Sequence, residues 1–277
     1  MNLIEEKYKL AHNAKSNEIE KEIQGMIYDF QPPATEKNKK KTADKLFDRY
    51  EYVDAADEYL KIVDENDGDI YIESQLAECY YNVFNTAEAA KWYGKIAEQK
   101  NDAETYYKYA QMLKAQGNYA ESDKQMNKFA ALAPKDQRAI EFKSNPNYLN
   151  DLKSQSKLFD ISPATISSDK SDFGAVMADN NEVYFSSARN GSRKNASYND
   201  EPYLDVYKAI YNEDGTLSEP TLVSEINTKW HDGPVAISAD GNTMYYGSES
   251  FNESEFVKDK EKRLKFGKIY LYKVTKN

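Results

Sequence analysis

Residues 77–96 read AECYYNVFNTAEAAKWYGKI. Ala77 and Ala89 are small, whereas Tyr93 and Ile96, which follow Ala89 by four and seven residues, are bulky and apolar. On a helix this spacing places Ala89, Tyr93 and Ile96 on one face. A small side chain in such a face lets another helix approach to the roughly 8–10 Å axis separation of close packing. The stretch therefore predicts two helices that pack tightly against each other.

The same arrangement occurs once before this stretch and once after it, at steps of 34 and then 33 along the chain. The matching positions, copy by copy, are Ala43, Ala55, Tyr59 and Ile62, then Ala77, Ala89, Tyr93 and Ile96, then Ala110, Ser122, Met126 and Phe129. A fixed period of this length is typical of stacked helical hairpins, because each hairpin has an apolar face that only its neighbour covers. We therefore predict an array of helix pairs, a class of structure that binds other molecules and rarely catalyses reactions.

The turn and end signals agree with this repeat. Gly117, within residues 116–119, suits the left-handed residue that follows a helix end, and Pro134 closes the third copy because a helix does not readily continue through proline. Residues 36–134 are similar to the tetratricopeptide pattern, and with a capping segment we expect the hairpins to occupy residues 36–152. An unrelated helical bundle would share the composition but not the common phase.

The composition disfavours several functional classes. The 277 residues carry a formal net charge of -10 and 40% hydrophobic residues, which suits folded domains but not nucleic-acid binding, because phosphate repels an acidic surface. The short basic run that begins at Lys37 reads as a solvated helix face. No apolar run approaches the about 18 residues of a membrane span, and the acidic start does not resemble a signal peptide.

Residue types for catalysis or metal binding are sparse. Cys79 is the single cysteine, and a buried inert thiol is its default state. The two histidines, His12 and His231, have no companions at metal-ligand spacing. Neither Ser186 nor Ser187 lies in a Gly-x-Ser-x-Gly elbow. We therefore expect no catalytic residue, no metal and no cofactor.

After a linker at residues 153–172 the periodicity becomes two. Residues 176–187 (VMADNNEVYFSS) align with residues 237–248 (ISADGNTMYYGS) at an offset of 61, and each reads as strand, tight turn and strand, because Asp, Asn and Gly tolerate the backbone of short turns. A second strand pair is predicted in each copy, at residues 204–209 and 268–274. Four strands per copy predict one propeller blade each.

Two further segments of this half carry expectations. The stretch Trp230–Pro234 marks the entry into the second copy, where we expect Asp232 to bond to nearby backbone and Gly233 to permit a bend. The charged residues 251–265 predict a surface loop or short helix, and a weaker alternative is contact with a partner.

Five short stretches carry a more specific resemblance. They are residues 172–175 (DFGA), 184–190 (YFSSARN), 204–208 (LDVYK), 231–234 (HDGP) and 238–245 (SADGNTMY). These stretches resemble WD-like propeller repeats of the TolB type. With tetratricopeptide hairpins ahead of them, residues 36–277 resemble the amino-terminal part of the OmpA-family multidomain proteins of Bacteroidota, the PorE-like group of type IX secretion and gliding motility. The fold implied is α+β multidomain: a tetratricopeptide α-solenoid followed by part of a β-propeller, with about two blades at residues 173–277.

The resemblance implies a non-enzymatic protein–protein interaction scaffold, periplasmic and associated with the outer membrane beside a PorP/SprF-type barrel. In such relatives a terminal OmpA-like domain binds peptidoglycan, and this function is carried by no residue here. One alternative is a soluble cytoplasmic tetratricopeptide adaptor, which the missing export signal favours. A less favoured alternative is a propeller hydrolase, which would need a cleft of convergent carboxylates.

Both ends of the chain depart from the resemblance. The apolar spacing within residues 1–35 predicts an amino-terminal helical segment that caps the array. Two blades cannot close a ring. We therefore expect either that the chain is a fragment or that other material covers the edge near residues 268–274, because an open edge strand pairs with its neighbours.

The candidate partner-binding residues lie on the first helix of each hairpin, which lines the concave wall of such an array. They are Phe47, Tyr71, Glu78, Tyr81, Tyr107, Gln111 and Lys114. The four aromatic residues are predicted to form a row that suits an extended peptide or a protein loop. The alternative is that these rings only cover their neighbours.

Overall fold

The computed structural model describes residues 36–63, 68–145 and 148–275. Within these ranges the chain is a mixed α+β protein, in which helices come first and antiparallel sheets follow. The helices are α1 (Glu36–Asp48), α2 (Tyr52–Val63), α3 (Ile70–Asn82), α4 (Thr86–Lys100), α5 (Ala103–Ala115), α6 (Tyr119–Leu132), α7 (Gln137–Ser144) and α8 (Tyr148–Ser154). The predicted amino-terminal segment, residues 1–35, lies outside the described residues.

Helices α1 to α6 pack on one another in chain order, and α7 packs on α6. Every periodic position of the sequence is buried: Ala43, Ala55, Tyr59, Ile62, Ala77, Ala89, Tyr93, Ile96, Ala110, Ser122, Met126 and Phe129. In the third hairpin the hydroxyl of Ser122 donates a hydrogen bond of 2.8 Å to the carbonyl of Ala110. The two small residues of one hairpin thus touch, which confirms the predicted close approach of the helices.

Helix ends follow from short polar residues. Asp69, Asn85, Asp102 and Asp136 precede α3, α4, α5 and α7, and each side chain accepts a hydrogen bond from a backbone N–H of the first turn. These bonds satisfy donors that have no partner within the helix. Between α5 and α6 the φ of Gly117 is +76°, so the predicted left-handed turn residue is present.

The second half consists of short antiparallel strands. They are β1 (Asp172–Met177), β2 (Glu182–Ser187), β3 (Asp205–Ile210), β4 (Thr221–Leu222), β5 (Asp232–Ile237), β6 (Thr243–Glu249), β7 (Val257–Asp259), β8 (Leu264–Phe266) and β9 (Ile269–Thr275). The first sheet has the order β1-β2-β3-β4 and the second has the order β5-β6-β9. Residues 155–171, between α8 and β1, contain neither helix nor strand.

The predicted four strands are present in the first sheet, whereas the second sheet has three. Residues 251–265, predicted to be a loop or short helix, instead contain the end of a 3-10 helix (Ser250–Glu253) and a separate β7–β8 hairpin. The hairpin turn is held by the Asp259 carboxylate, which accepts hydrogen bonds from the backbone N–H groups of Glu261 and Lys262.

The register of the strands defines which residues of the two sheets are equivalent. The second strands of the two sheets, β2 and β6, match at the predicted offset of 61. Tyr184 of β2 pairs with Lys208, and Tyr245 of β6 pairs in the same way with Lys273. The first strands, β1 and β5, match at an offset of 60 instead. Asp172 of β1 pairs with Ser187, and Asp232 of β5 pairs in the same way with Ser248. The single offset of 61 was therefore wrong for the first strands. The reason is that the β5–β6 turn is one residue longer than the β1–β2 turn.

The two sheets pack face to face, with β5 lying against the first sheet. Their shared core consists of Val206, Ile226, Val235 and Tyr246. The opposite face of the first sheet carries Phe185, Tyr207 and Ala209, which Ile166 and Leu217 cover. The described strands do not form a closed ring.

Candidate partner-binding groove of the helical region

The groove is built on a repeated contact between the two helices of each hairpin. Asp44, Glu78 and Gln111 directly follow the small residues of α1, α3 and α5. The residue that each contacts lies 15 positions later, on the second helix of the same hairpin. Tyr59 donates to Asp44 at 2.7 Å, Tyr93 donates to Glu78 at 2.8 Å, and the Gln111 amide lies 4.0 Å from the Met126 sulfur. We call this set of three contacts the ladder.

The first contact of the ladder extends to the next hairpin. The hydroxyl of Tyr71 also donates to Asp44 Oδ1, at 2.9 Å, and the Lys40 ammonium lies 3.9 Å from the centre of the Tyr71 ring. Tyr71 is 41% exposed. Burial of its hydroxyl and the hydrogen bond to Asp44 raise the pKa of Tyr71 to about 12, so the phenol remains a donor at neutral pH. An exposed ring with a fixed hydroxyl is thus presented at this end.

The second contact of the ladder includes a cation from the following hairpin. The Lys108 ammonium lies 2.7 Å from Glu78 Oε2 and 2.9 Å from Oε1. It also lies 4.9 Å from the centre of the Tyr81 ring, which packs edge-on against Tyr93. Burial raises the pKa of Tyr93, so its hydroxyl stays protonated and donates to Glu78. One carboxylate therefore joins α3, α4 and α5.

The third contact of the ladder borders a cavity of about 370 Å³ where α5, α6, α7 and α8 meet. The predicted residues Tyr107, Gln111 and Lys114 all line it. Arg138 lies 4.1 Å from the centre of the Tyr107 ring and donates to Glu104 at 2.9 Å. The Lys114 ammonium lies 4.5 Å from the centre of the Tyr148 ring. This cavity has room for a side chain of a partner.

Each of the four aromatic residues that were predicted to form a row contacts a different ring or charged group of its own surroundings. Phe47 packs edge-on against Tyr52, and Tyr107 packs against Phe129, each at just over 5 Å between ring centres. Among the described residues no ring contact joins one of the four to another. Only Tyr71 of the four is exposed. The binding role of these residues stays a prediction.

Two residues of the groove were missed from the sequence, Lys108 and Arg138. Lys108 occupies the position that Gln75 has in the preceding hairpin, and Arg138 occupies the position of Glu104 one repeat further on. Continuing the period by one step beyond the third hairpin would have placed Arg138 beside Glu104. The recognisable pattern ends at Pro134, so the sequence gives no repeat position to Arg138.

Of the residues whose side chains could do chemistry, Cys79 is buried and Ser187, His231 and Asp232 are held by structural hydrogen bonds, whereas the Ser186 hydroxyl is buried without a hydrogen-bond partner in the described part of the chain. His12 lies outside the described residues. Burial raises the pKa of the Cys79 thiol to about 12, which makes it a poor nucleophile. The His231 Nδ1 accepts a hydrogen bond from the backbone N–H of Leu204, and burial lowers the pKa of His231. Asp232 accepts from the backbone N–H of Thr228, as predicted. In the described part of the chain, no three His, Cys, Asp or Glu side chains come together as metal ligands.

None of the helices described here is both long and apolar enough to cross a membrane. No protein-family model matches the chain, and no curated protein matches it. Among the solved structures that are similar to it is one described as the first TPR of Spaghetti (RPAP3) bound to the HSP90 peptide SRMEEVD, with a TM-score of 0.35 and 20% sequence identity. The similarity covers 40% of this chain and 90% of that chain.

Proposed function

We propose that this chain is a non-enzymatic scaffold whose helical region binds an extended segment of a partner protein. The ladder is the observation that carries the proposal. Its repeated contacts hold Asp44, Glu78 and Gln111 at equivalent positions of α1, α3 and α5, with Tyr71 exposed at one end and the cavity at the other. Groups held in place in this way lose little entropy on binding.

The domain organisation belongs to the same proposal. Residues 36–152 are tetratricopeptide-type hairpins with a cap, residues 153–172 are a linker, and residues 173–277 are about two propeller blades. The burial of every periodic position supports the first assignment, and the shared register of the two sheets supports the last.

The charges of the groove suit a partner segment of mixed charge. Acidic and basic side chains alternate along it. The Glu104–Arg138 pair is exposed, whereas the Glu78–Lys108 pair is partly buried. The exposed pair exchanges partners at low cost, because an exposed ion pair contributes about 0–1 kcal/mol. A partner carboxylate can therefore bind Arg138, and a partner ammonium can bind Glu104.

We propose a periplasmic, outer-membrane-associated location for this scaffold, beside a PorP/SprF-type barrel of a type IX secretion or gliding complex. This rests on the resemblance of the sequence, and a cytoplasmic adaptor is the competing assignment. Fractionation of native cells decides between them. Recovery with the outer membrane supports the envelope scaffold, and recovery with the cytosol contradicts it.

The groove is tested by affinity purification of the full chain with Tyr71→Ala. Because the ring is exposed but its hydroxyl donates to Asp44, we expect the partner to be lost while the free energy of unfolding falls by no more than the about 1.5–3 kcal/mol of that hydrogen bond, so that the variant stays folded. Tyr211→Ala is the matched control, since Tyr211 is equally exposed but lies in the sheet region. Retention of the partner by Tyr71→Ala, or its equal loss from the control, would contradict the proposed groove.

A further inference from the structure

One face of the second sheet is uncovered. Ile269 and Leu271 on β9 are 70% and 75% exposed, and Tyr245 on β6 is also exposed. Leu271 pairs with Gly247, and Lys273 pairs with Tyr245, so these residues share that face. Exposed apolar side chains in such an array indicate a surface that another element covers.

The first sheet identifies what kind of element that is. Val206 pairs with Ser186 on β2, as Leu271 pairs with Gly247 on β6, so Val206 and Leu271 are equivalent. Val206 is completely buried, because Val235 and Tyr246 of the second sheet and Ile226 of the β4–β5 connection cover it. The equivalent cover for Leu271 is therefore a sheet that presents the same three positions.

This chain carries those three positions a second time, on its first sheet and in the segment just before it. Residues before the turn between the first two strands of each sheet are equivalent at an offset of 60, and residues after it at an offset of 61. Ile226 and Val235 therefore correspond to Ile166 and Ala175, and Tyr246 corresponds to Phe185. These three residues line a cavity of about 180 Å³ on the side of the first sheet that faces away from the second. We call this side the outer side of the first sheet.

Side-chain sizes at the two surfaces compensate. Between the two sheets of one chain, Val206 packs against Val235. The equivalent positions of the two free surfaces are Leu271, which is larger than valine, and Ala175, which is smaller. A second pair behaves in the same way. The Ser186 side chain occupies the space beside Gly233 where a side chain would otherwise lie, because a Cβ added to Gly233 would come within 2.0 Å of the Ser186 oxygen. The equivalent positions are Gly247, which has no side chain, and Phe173, which is large and 44% exposed.

We propose that the uncovered face of the second sheet packs on the outer side of the first sheet of a second copy of this chain. The contact is head to tail, so each copy binds one neighbour through the uncovered face of its second sheet and another neighbour through the outer side of its first sheet. Such heterologous contacts continue until the chain of copies closes into a ring or forms an open assembly. This self-association goes beyond the proposed function and does not use the groove.

Light scattering coupled to gel filtration tests the proposal on the full chain. We expect a mass of at least two copies that rises with concentration, and a single-copy mass for Leu271→Lys at every concentration. Ile140→Lys is the matched control, since Ile140 is also exposed but lies on α7. A single-copy mass for the unmodified chain, or the same association in Leu271→Lys, overturns the proposal. Circular dichroism verifies that the variants are folded.

Disulfide trapping locates the contact. Cys79 is the single native cysteine and is buried, so engineered thiols react alone. We expect a cross-linked dimer when a Leu271→Cys chain is mixed with an Ala175→Cys chain, and much less from either chain by itself. Leu152→Cys mixed with Ala175→Cys is the control, since Leu152 is exposed on α8. Equal cross-linking in the control overturns the assigned surfaces.

Discussion

The hydroxyl of Tyr93 lies 2.8 Å from Oε1 of Glu78 across one helical hairpin. The same contact, with the same separation of 15 residues, joins Tyr59 to Asp44 in the preceding hairpin. Both tyrosine rings are buried, whereas both carboxylates are partly open to the groove. In these two hairpins the core therefore orients an acidic group of the groove, which couples stability to the proposed binding surface.

Removal of one hydroxyl tests this coupling. We expect Tyr93→Phe to lower the free energy of unfolding by about 1.5–3 kcal/mol, the usual range for a hydrogen bond to a charged group. Tyr80→Phe is the matched control, since the Tyr80 ring packs against the same core but its hydroxyl has no hydrogen-bond partner among the described residues. Urea unfolding followed by circular dichroism measures both. Equal losses in the two variants would contradict a role for the hydroxyl.

The second prediction concerns the size of the side chain at Ala89, one of the recurring small residues. Ala89→Val places two extra carbons between α3 and α4 and is expected to cost about 1–3 kcal/mol. Ala89→Ser should be tolerated within about 1 kcal/mol, because the serine can donate to the Ala77 carbonyl as Ser122 donates to that of Ala110. Ala87→Val on the exposed side of α4 is the control. A larger loss from serine than from valine would contradict the steric argument.

These two predictions show how far the sequence determines the helical region. Side-chain size is enough to find the hairpins, since a buried contact such as that of Ala110 with Ser122 tolerates no large residue. The partners of the groove are harder to predict. Lys108 reaches Glu78 across 30 residues, and this depends on how far one hairpin rotates on the next, which no local pattern records.

In the sheet region the sequence identifies the strands and turns but not how the sheets are completed. Predicted strands at residues 204–209 and 268–274 lie within one residue of β3 and β9. The different offset of the first strands was missed because one extra residue in a turn leaves the alternation of each strand intact. Ile166 aligns with Ile226 at an offset of 60, which indicates that the first copy begins before residue 172. This signal lies within residues 153–172, which were predicted to be a linker.

A tight contact between the sheets gives a third prediction. Gly233 has φ of +100°, and an added Cβ would lie 2.0 Å from the Ser186 oxygen. We expect Gly233→Ala to cost about 3 kcal/mol or more, from backbone strain together with overpacking. Adding Ser186→Gly removes the clash but not the strain, so the double variant should recover part of the loss. Urea unfolding of the full double-mutant cycle measures this. No recovery would show that the clash is not the cause.

The acid sensitivity of the first sheet gives the last prediction. Burial raises the pKa of Asp172, but hydrogen bonds from Ser187, Ser168 and Arg189 outweigh it and hold the pKa at about 2, against an ordinary value of 3.8. Since the unfolded carboxyl binds its proton first, the stabilisation is complete above pH 3.8 and is lost as the pH falls towards 2. It amounts to at most about 2 kcal/mol.

We therefore expect Asp172→Asn to lower the stability at neutral pH and to flatten its fall between about pH 5 and pH 2. The equivalent Asp232 is the comparison. Its burial raises its pKa, and Ser248 and the Thr228 N–H only partly oppose this. Its contribution to stability therefore decreases as the pH rises above 3.8, which is the opposite sign. The difference between the two sites arises because the arginine that pairs with Asp172, Arg189, has a serine, Ser250, at its equivalent position. Urea unfolding of the unmodified chain and of both variants at a series of pH values measures how each substitution changes the slope of stability against pH. Changes of equal sign for Asp172→Asn and Asp232→Asn would refute the assignment.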